Sequence, residues 1–346
     1  MLKKVLGLAL CLLICLPFAG CGKNKEIEVE SAVSATSSTD TVEESDSYIN
    51  PLTGEEGLTK ETAMQRPVAI MVNNINVAQS VQTGLNKADI IYETEVEGGI
   101  TRLMAVFKDF KSVPQVGTIR SARYVYVDLA AGHDAVYAHH GADDIYARPH
   151  FDVVKRLELT TGNGGVRVSN GLASEHTLYA NCADFWQNIV KSGNATLSKE
   201  ADPWQNFAKT GEDVKLANTA NTVSVPFSAS YKTVFKYNAE TGKYTRYSGD
   251  TLRKDYKTGE TIEVKNVFVL NTTISYYSNN KHRKIDLTSG SGYYLVNGTY
   301  TKINWSKGDA TNSFKFTNED GSALTVNPGT SWVCIAESSK SQPTIS

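Results

Sequence analysis

The sequence is poor in the residues that build thiolate metal sites and catalytic signatures. It has five cysteines among 346 residues and no Cys-x-x-Cys pair, which argues against a zinc site made of thiolates. Outside the N-terminal region only Cys182 and Cys334 remain, either as a disulfide or as two separate thiols. There is no Gly-x-Ser-x-Gly nucleophile elbow. These absences favour a binding protein over an enzyme, and they indicate no cofactor and no metal.

A surplus of positive charge is also missing. The formal net charge is −2, and removal of residues 1–20 would take away two lysines and no acid, which makes it −4. Domains that bind nucleic acid usually carry a basic footprint. We therefore expect no nucleic-acid partner, and any site for an anion must be local.

The longest apolar run lies at the N-terminus and is too short to span a membrane. Residues 5–17 are apolar apart from one glycine, whereas a spanning helix needs about 20 such residues. Two lysines precede the run, and Phe18-Ala19-Gly20-Cys21 follows it, which is typical of a bacterial lipoprotein signal peptide. We expect cleavage before Cys21, acylation there by diacylglycerol and fatty acid, and anchoring on the extracytoplasmic face of the cell membrane. The alternative is an ordinary signal peptide with a chance cysteine.

Composition divides the remaining chain into four parts. Residues 21–48 are rich in serine, threonine and acids, and predict a disordered tether. Residues 49–221 combine apolar runs with helical patterns, which predicts a mixed α/β N-terminal domain. Residues 222–336 show short alternating runs and turns, which predicts a mostly antiparallel β C-terminal domain. A polar tail, 337–346, follows, and the predicted fold class is α+β.

Apolar runs and capping residues fix the elements expected in the N-terminal part. A continuous apolar run indicates a buried strand, and a Ser or Thr before a helical pattern indicates a helix start. The predicted strands are 67–72, 88–96, 100–107, 118–120 and 135–138. The predicted helices are 121–131 with Ser121 as cap, 143–157 with an interruption at Pro149, and 183–192.

Three arginines mark the candidate binding site. Arg120 stands at a predicted strand end, Arg123 in the first turn of a predicted helix, and Arg102 on a neighbouring strand. A helix N-terminus attracts anions, and a guanidinium fork donates two parallel hydrogen bonds to phosphate or carboxylate. The sequence therefore predicts an anionic ligand here. The alternative is that the arginines pair with acids of the same region, namely Glu93, Glu95, Glu97 and Asp128.

Histidines are concentrated in the same part of the chain. Five of the six lie between residues 133 and 176, close to Asp143 and Asp144, but their spacing matches no metal motif. We expect His139 and His176 to contact the ligand beside the arginines. The glycine-rich stretch 161–171, which contains Arg167, is expected to be a surface loop or a mobile lid.

Specific motifs are spread along residues 50–336. They include Asn50-Pro51-Leu52-Thr53-Gly54, Ala88-Asp89-Ile90-Ile91-Tyr92-Glu93, Val96-Glu97-Gly98-Gly99-Ile100-Thr101-Arg102, Gly117-Thr118-Ile119-Arg120-Ser121-Ala122-Arg123 and Thr330-Ser331-Trp332-Val333. These motifs resemble the YerB-like lipoproteins, a two-part family of unestablished biochemical function. The resemblance implies an envelope location and a two-part architecture, and it implies no particular chemistry.

Two functions remain open at this point. The first is a non-enzymatic envelope module that binds a phosphate-bearing glycan or lipid, or a protein partner, through the arginines. The second is a cell-wall polymer transferase or hydrolase for lipid-linked phosphorylated glycans, with Asp89 or Asp128 helping to hold Mg²⁺. The strand-then-arginine arrangement is similar to the LytR-CpsA-Psr wall-polymer transferases, in which arginines near strand ends hold a prenyl pyrophosphate. The lack of a nucleophile or metal motif favours the first function.

Overall fold

The structure is a computed structural model that describes residues 47–339 and 342–346. The predicted signal peptide, the lipid site Cys21 and all but the last two residues of the predicted tether lie outside the described residues. No helix within the described part is long and apolar enough to cross a lipid bilayer.

Ten strands and three α-helices are described between residues 47 and 195. The strands are β1 (Tyr48–Ile49), β2 (Glu56–Leu58), β3 (Val68–Asn73), β4 (Ile90–Glu95), β5 (Thr101–Phe107), β6 (Gln115–Gly117), β7 (Val136–His139), β8 (Lys155–Glu158), β9 (Gly165–Arg167) and β10 (Leu178–Asn181). The helices are α1 (Lys60–Ala63), α2 (Tyr124–Ala131) and α3 (Cys182–Lys191).

The strands described after residue 195 follow one another without an α-helix. They are β11 (Asn218–Thr219), β12 (Thr222–Pro226), β13 (Lys232–Asn238), β14 (Lys243–Ser248), β15 (Thr251–Leu252), β16 (Glu263–Val264), β17 (Asn266–Thr272), β18 (Ile274–Tyr276), β19 (Arg283–Ile285), β20 (Ser289–Val296), β21 (Thr299–Ser306), β22 (Lys315–Asn318), β23 (Ser331–Glu337) and β24 (Thr344–Ile345).

One central sheet contains strands from both halves of the chain. Its order is β11-β21-β20-β17-β23-β4-β5-β3-β7-β8, with β22 paired to β21. Strand β23 lies between β17 and β4 and is parallel to both. The segments predicted as N-terminal and C-terminal domains are therefore hydrogen-bonded to each other through β4 and β23.

Both faces of the central sheet are apolar, which explains the unbroken apolar run of β3. Successive side chains of a strand point to opposite faces. Ile70 accordingly joins one hydrophobic core and Met71 the other. Phe185 of α3 belongs to the first core, and Tyr126 of α2 belongs to the second. A strand that is covered on both sides cannot alternate between apolar and polar residues.

A second sheet shares the core on the first face of the central sheet. Its order is β15-β14-β13-β12-β24, with β16 paired to β14. Phe235 of β13 packs edge-on against Trp332 of β23, with 5.6 Å between ring centroids. Two antiparallel hairpins of the C-terminal half are β13–β14 in this sheet and β20–β21 in the central sheet. The predicted polar tail includes β24, which pairs with β12 at the edge of this sheet.

The predicted strands and helices are confirmed where local sequence decides them. β3, β4, β5 and β7 cover the predicted apolar runs, and β4 and β5 pair as an antiparallel hairpin. Helix α3 matches the helix predicted at 183–192 to within a residue. Of the two arrangements open for Cys182 and Cys334, the structure has two free, buried thiols.

Three details of the predicted elements are wrong. Strand β6 ends at Gly117, so residues 118–120 follow a strand and do not form one. Helix α2 begins at Tyr124 and has no capping side chain, so Ser121 is not its cap. Residues 143–157 form a 3₁₀ helix at Arg148–Val153 and then β8, which pairs with β7. The described residues form 24 strands and three short α-helices, so the fold is mainly β where the sequence predicted α+β.

Candidate functional site

The three predicted arginines meet around the segment between β6 and α2. Arg102 is on β5, in the middle of the central sheet, and its Nη1 donates to the carbonyl oxygen of Ser121 at 2.6 Å. Arg120 and Arg123 flank that serine in the sequence. Because β5 holds Arg102 under the loop, all three guanidinium groups gather at one end of the sheet, as the sequence predicts.

The pKa of Arg102 reflects its burial and the charges around it. Burial lowers the pKa of Arg102 to about 9, and the positive charges of Arg123 and Arg120 lower it further, while Glu97 opposes the shift. Arg102 is only 4% exposed. It therefore contributes positive potential from beneath the loop and offers no open surface to a ligand.

Arg123 has a strong partner of its own. Its Nε lies 2.8 Å from both carboxylate oxygens of Glu97, and its Nη1 donates to the carbonyl oxygen of Ala122 at 2.8 Å. An ion pair with a nearby acid such as Glu97 is the alternative to ligand binding that the sequence allows for these arginines. The side chains of Arg123 and Glu97 are 20% and 16% exposed.

Arg120 lines a wide, open cleft, whereas Arg123 lines a much smaller pocket beside Glu97. The contacts of Arg120 with Glu175 are long, at 3.4 Å from Nη1 to the carbonyl oxygen and 3.6 Å from Nη2 to Oε1. Its buried Nε has no partner among the described residues. The cleft has a volume of about 630 Å³ and is lined by Ile119, Arg120, Ser121, His140, Gly141, Arg167, Ala173, Ser174, Glu175 and Leu178.

Two further cationic or titratable groups line this cleft, and sequence reasoning did not place them in the site. Arg167 lies on β9, in the glycine-rich stretch predicted as a loop or lid, and its Nη1 donates to the carbonyl oxygen of Ser174 at 2.6 Å. Nδ1 of His140 bonds the carbonyl oxygen of Leu159 at 2.8 Å, which leaves Nε2 as the nitrogen available to a ligand. In the sequence, His140 stands out only as one of the five histidines between residues 133 and 176.

The two predicted histidines occupy different positions. His139 is fully buried, its Nδ1 bonds the carbonyl oxygen of Gly141 at 2.8 Å, and its ring stacks on Phe151. His176 is also buried, with Nδ1 accepting from Asn73 Nδ2 at 2.8 Å and Nε2 3.2 Å from Glu175 Oε1. His176 thus holds the acid that faces Arg120, whereas His139 belongs to the interior.

A hairpin of the C-terminal half covers the other side of the Arg123–Glu97 pair. Strands β18 and β19 carry Tyr277 and His282 at the hairpin tip. Tyr277 stacks on Tyr146 with ring centroids 3.8 Å apart, and His282 Nε2 is 3.1 Å from Asp143 Oδ1 and 3.7 Å from Glu97. In the described residues no group of three or more His, Cys, Asp or Glu is placed to hold a metal ion.

Comparison with known proteins shows which family this chain belongs to. It is 30% identical over 300 residues to "Putative lipoprotein YerB" of Bacillus subtilis (strain 168), covering 82% of this chain and 85% of that protein. Residues 52–195 match the model "Protein of unknown function (DUF3048) N-terminal domain", and residues 223–333 match the corresponding C-terminal domain. The chain belongs to the YerB-like DUF3048 family.

The fold of this DUF3048 protein is also similar to a solved structure. The crystal structure of YerB protein from Bacillus subtilis aligns with a TM-score of 0.75 at 25% identity, covering 86% of this chain and 99% of that one. Every residue lining the Arg120 cleft lies within the DUF3048 N-terminal match.

Proposed function

We propose that this DUF3048 protein is a lipid-anchored module on the extracytoplasmic face of the cell membrane that binds an anionic envelope ligand in the Arg120 cleft. The ligand is a phosphate group carried by a wall glycan or by a lipid. The name of the relative from Bacillus subtilis and the Phe18-Ala19-Gly20-Cys21 motif support the anchor. The observation that carries the ligand is a half-satisfied Arg120 beside Arg167 and His140 in one open cleft.

Glu175 occupies the position that a phosphate would take. Its side chain is 57% exposed, and its carboxylate stands 3.6 Å from Arg120 and 3.2 Å from His176. Exposed ion pairs of this kind contribute little, at about 0–1 kcal/mol. A phosphate has more acceptor oxygens than one carboxylate and can take both prongs of a guanidinium fork. Displacement of Glu175 by the ligand is therefore favourable.

The surrounding charges support an anion at this position. Arg102 and Arg123 lie close enough to Arg120 for the three positive charges to act on one another. With Arg167, four guanidinium groups stand against the carboxylates of Glu97, Glu175 and Glu158, the last of which accepts from the N–H of Gly141. Local positive potential on a mildly acidic protein attracts a polyanion to one place.

Binding of two phosphate-bearing probes to the full-length protein in detergent micelles tests this function. The probes are poly(glycerol phosphate), which stands for a wall polymer, and undecaprenyl phosphate, which stands for a lipid. Arg120→Gln should weaken binding about 10-fold or more, since a charge-assisted hydrogen bond contributes about 1.5–3 kcal/mol. Glu175→Gln should strengthen binding, because it removes the competing carboxylate. The probe that responds to both variants identifies the source of the phosphate.

Arg148→Gln is the matched control. Arg148 is an exposed arginine paired with Asp144, and it does not line the cleft. Its loss should leave binding unchanged. The proposal is contradicted if neither probe binds, or if Arg120→Gln and Arg148→Gln behave alike.

A further inference from the structure

Two arginines face each other inside the second sheet, away from the Arg120 cleft. Arg246 is on β14, and the backbone N–H of Arg253 donates to the Arg246 carbonyl oxygen at 3.0 Å. Facing residues of antiparallel strands project to the same side of the sheet. Arg246 is 1% exposed and Arg253 is 8% exposed. The protein therefore buries two neighbouring positive charges.

The guanidinium of Arg246 is only partly satisfied. Its Nη2 donates to Asn74 Oδ1 at 3.3 Å, and its Cζ lies 4.7 Å from the ring centroid of Trp332. Its Nε and Nη1, and the Nε of Arg253, are buried and have no hydrogen-bond partner among the described residues. Buried N–H groups without an acceptor cost about 1–3 kcal/mol each, and more when charged.

The nearest acid cannot balance both arginines. Glu93 is 1% exposed, and its carboxylate already accepts from Asn74, Thr101, Thr233 and Trp332 at 2.8–3.1 Å. No carboxylate of the described residues is within ion-pair distance of Arg246 or Arg253. One negative charge thus stands near two positive charges in a region with little solvent.

The pKa values of the two arginines agree with this imbalance. Burial lowers the pKa of Arg246, and Glu93 opposes the change. Burial also lowers the pKa of Arg253, to about 10, and the charge of Arg246 lowers it further. An arginine side chain keeps its charge in proteins, so the surplus positive charge persists.

We infer that Arg246 and Arg253 hold a small monovalent anion, of the size and charge of a halide, in the interior beside Trp332. One such anion supplies the missing negative charge and accepts from the unpartnered N–H groups. Gln82, whose Nε2 also donates to Asn74 Oδ1, has an unpartnered Oε1 that can accept from a water of the anion's shell. The low exposure of both arginines favours a single atom over a phosphate or a sugar acid.

Bromide replacement tests the site directly. Crystals of the protein soaked in sodium bromide should show an anomalous peak between Arg246 and Arg253. In solution, the full-length protein should unfold at a higher temperature in sodium chloride than in sodium gluconate of equal ionic strength, because gluconate is too large to enter. A ligand that binds only the folded state and is present at about five times its Kd raises the Tm of a protein of this size by about 2–4 °C.

Two variants separate the anion site from general salt effects. Arg253→Met removes one buried charge and keeps the aliphatic stem, so it should abolish the difference between chloride and gluconate and raise Tm in gluconate. Lys254→Met removes the neighbouring exposed charge and should keep the full difference. The inference is overturned if no bromide peak lies between the arginines, or if wild type and Arg253→Met respond equally to chloride.

Discussion

His139 is a buried, uncharged base, and this makes the stability of the protein sensitive to acid. Burial lowers its pKa to about 4, although the carbonyl of Gly141 and the charge of Glu158 act in the opposite direction. An unfolded histidine has a pKa of about 6.5. Above pH ~6.5 neither state takes up a proton at this residue. Between ~6.5 and ~4 only the unfolded state does, so stability falls as the pH falls.

Replacing His139 by Gln should weaken this dependence, while the buried His133, whose pKa burial lowers to about 3, contributes equally to both proteins. We expect the free energy of unfolding of the wild type to fall with decreasing pH by up to about 1.4 kcal/mol per pH unit more than that of His139→Gln. Urea unfolding at several pH values between ~7 and ~4 measures the difference. The side-chain amide of Gln can still donate to the carbonyl oxygen of Gly141, so the variant keeps the hydrogen bond that the His139 ring makes there.

Asp89 changes the pH dependence of stability in the opposite direction. Its contribution cancels when wild type is compared with His139→Gln. Burial raises the pKa of Asp89 to about 6, despite hydrogen bonds from Lys108 and Asn50. Between pH ~6 and ~3.9 the folded state therefore holds a proton that the unfolded state lacks, and stability rises as the pH falls. Because this contribution is common to both proteins, equal pH slopes for wild type and His139→Gln would contradict the prediction for His139.

For single residues, the sequence predicts that the three arginines cluster but not which of them is accessible to a ligand. Arg102, Arg120 and Arg123 come together because a strand, a turn and a helix start converge there. Their partners depend on side-chain positions that no local pattern encodes. Arg167 enters the cleft only because β9 pairs with β10 in a separate three-stranded sheet. Such a pairing joins residues through tertiary structure and leaves no periodic signal.

Among the elements, the β18–β19 hairpin is held both at its tip and along its strands. At the tip, Tyr277 stacks on Tyr146, and His282 lies beside Asp143. Along β19, Arg283 pairs with Glu95 and Ile285 is buried in the second core. A two-stranded hairpin is marginally stable without packing, so both sets of contacts hold it over Glu97.

Tyr277→Ala should loosen the hairpin, above all at its tip, without unfolding the sheets. Loss of the stacked ring removes its buried area and about 0.5–1.5 kcal/mol of aromatic pairing. We expect faster amide hydrogen exchange in residues 274–285, with little change in the central sheet. Lys281→Ala, an exposed substitution in the same hairpin, should leave exchange unaltered. Unchanged protection in Tyr277→Ala would show that the hairpin is held by other contacts.

Elements that pack locally are those that the sequence predicts best. The β4–β5 hairpin follows from two apolar runs around Gly98-Gly99, and α3 follows from a helical apolar face capped by Asn181. The segment 143–157 was predicted incorrectly because β8 gains backbone hydrogen bonds from β7, which its own sequence does not show. Tertiary pairing overrides a weak helical pattern.

For the whole molecule, β23 connects the two halves of the chain. It is parallel to β17 on one side and β4 on the other, and its Trp332 donates to the buried Glu93. The expected division near residue 221 therefore crosses a continuous sheet. A polypeptide lacking β23 would expose two strand edges and an unpaired buried acid.

Deletion of residues 331–346 should abolish cooperative folding of both halves. We expect the truncated protein to lose its near-ultraviolet circular dichroism signal and to bind a hydrophobic dye, since β4 and β17 lose their shared neighbour. Deletion of residues 342–346 is the control, because it removes only the short edge strand β24. A sharp thermal transition in the 331–346 deletion would mean that the halves fold independently.

The pairing of β23 with β4 also affects the order in which the protein can fold. Thr94 of β4 and Ile335 of β23 are 241 positions apart in the sequence. Contacts between such distant strands form slowly, because the entropy of closing the long loop is lost before the contacts are gained. The edges of β4 and β17 that face β23 therefore stay unpaired until a late step of folding.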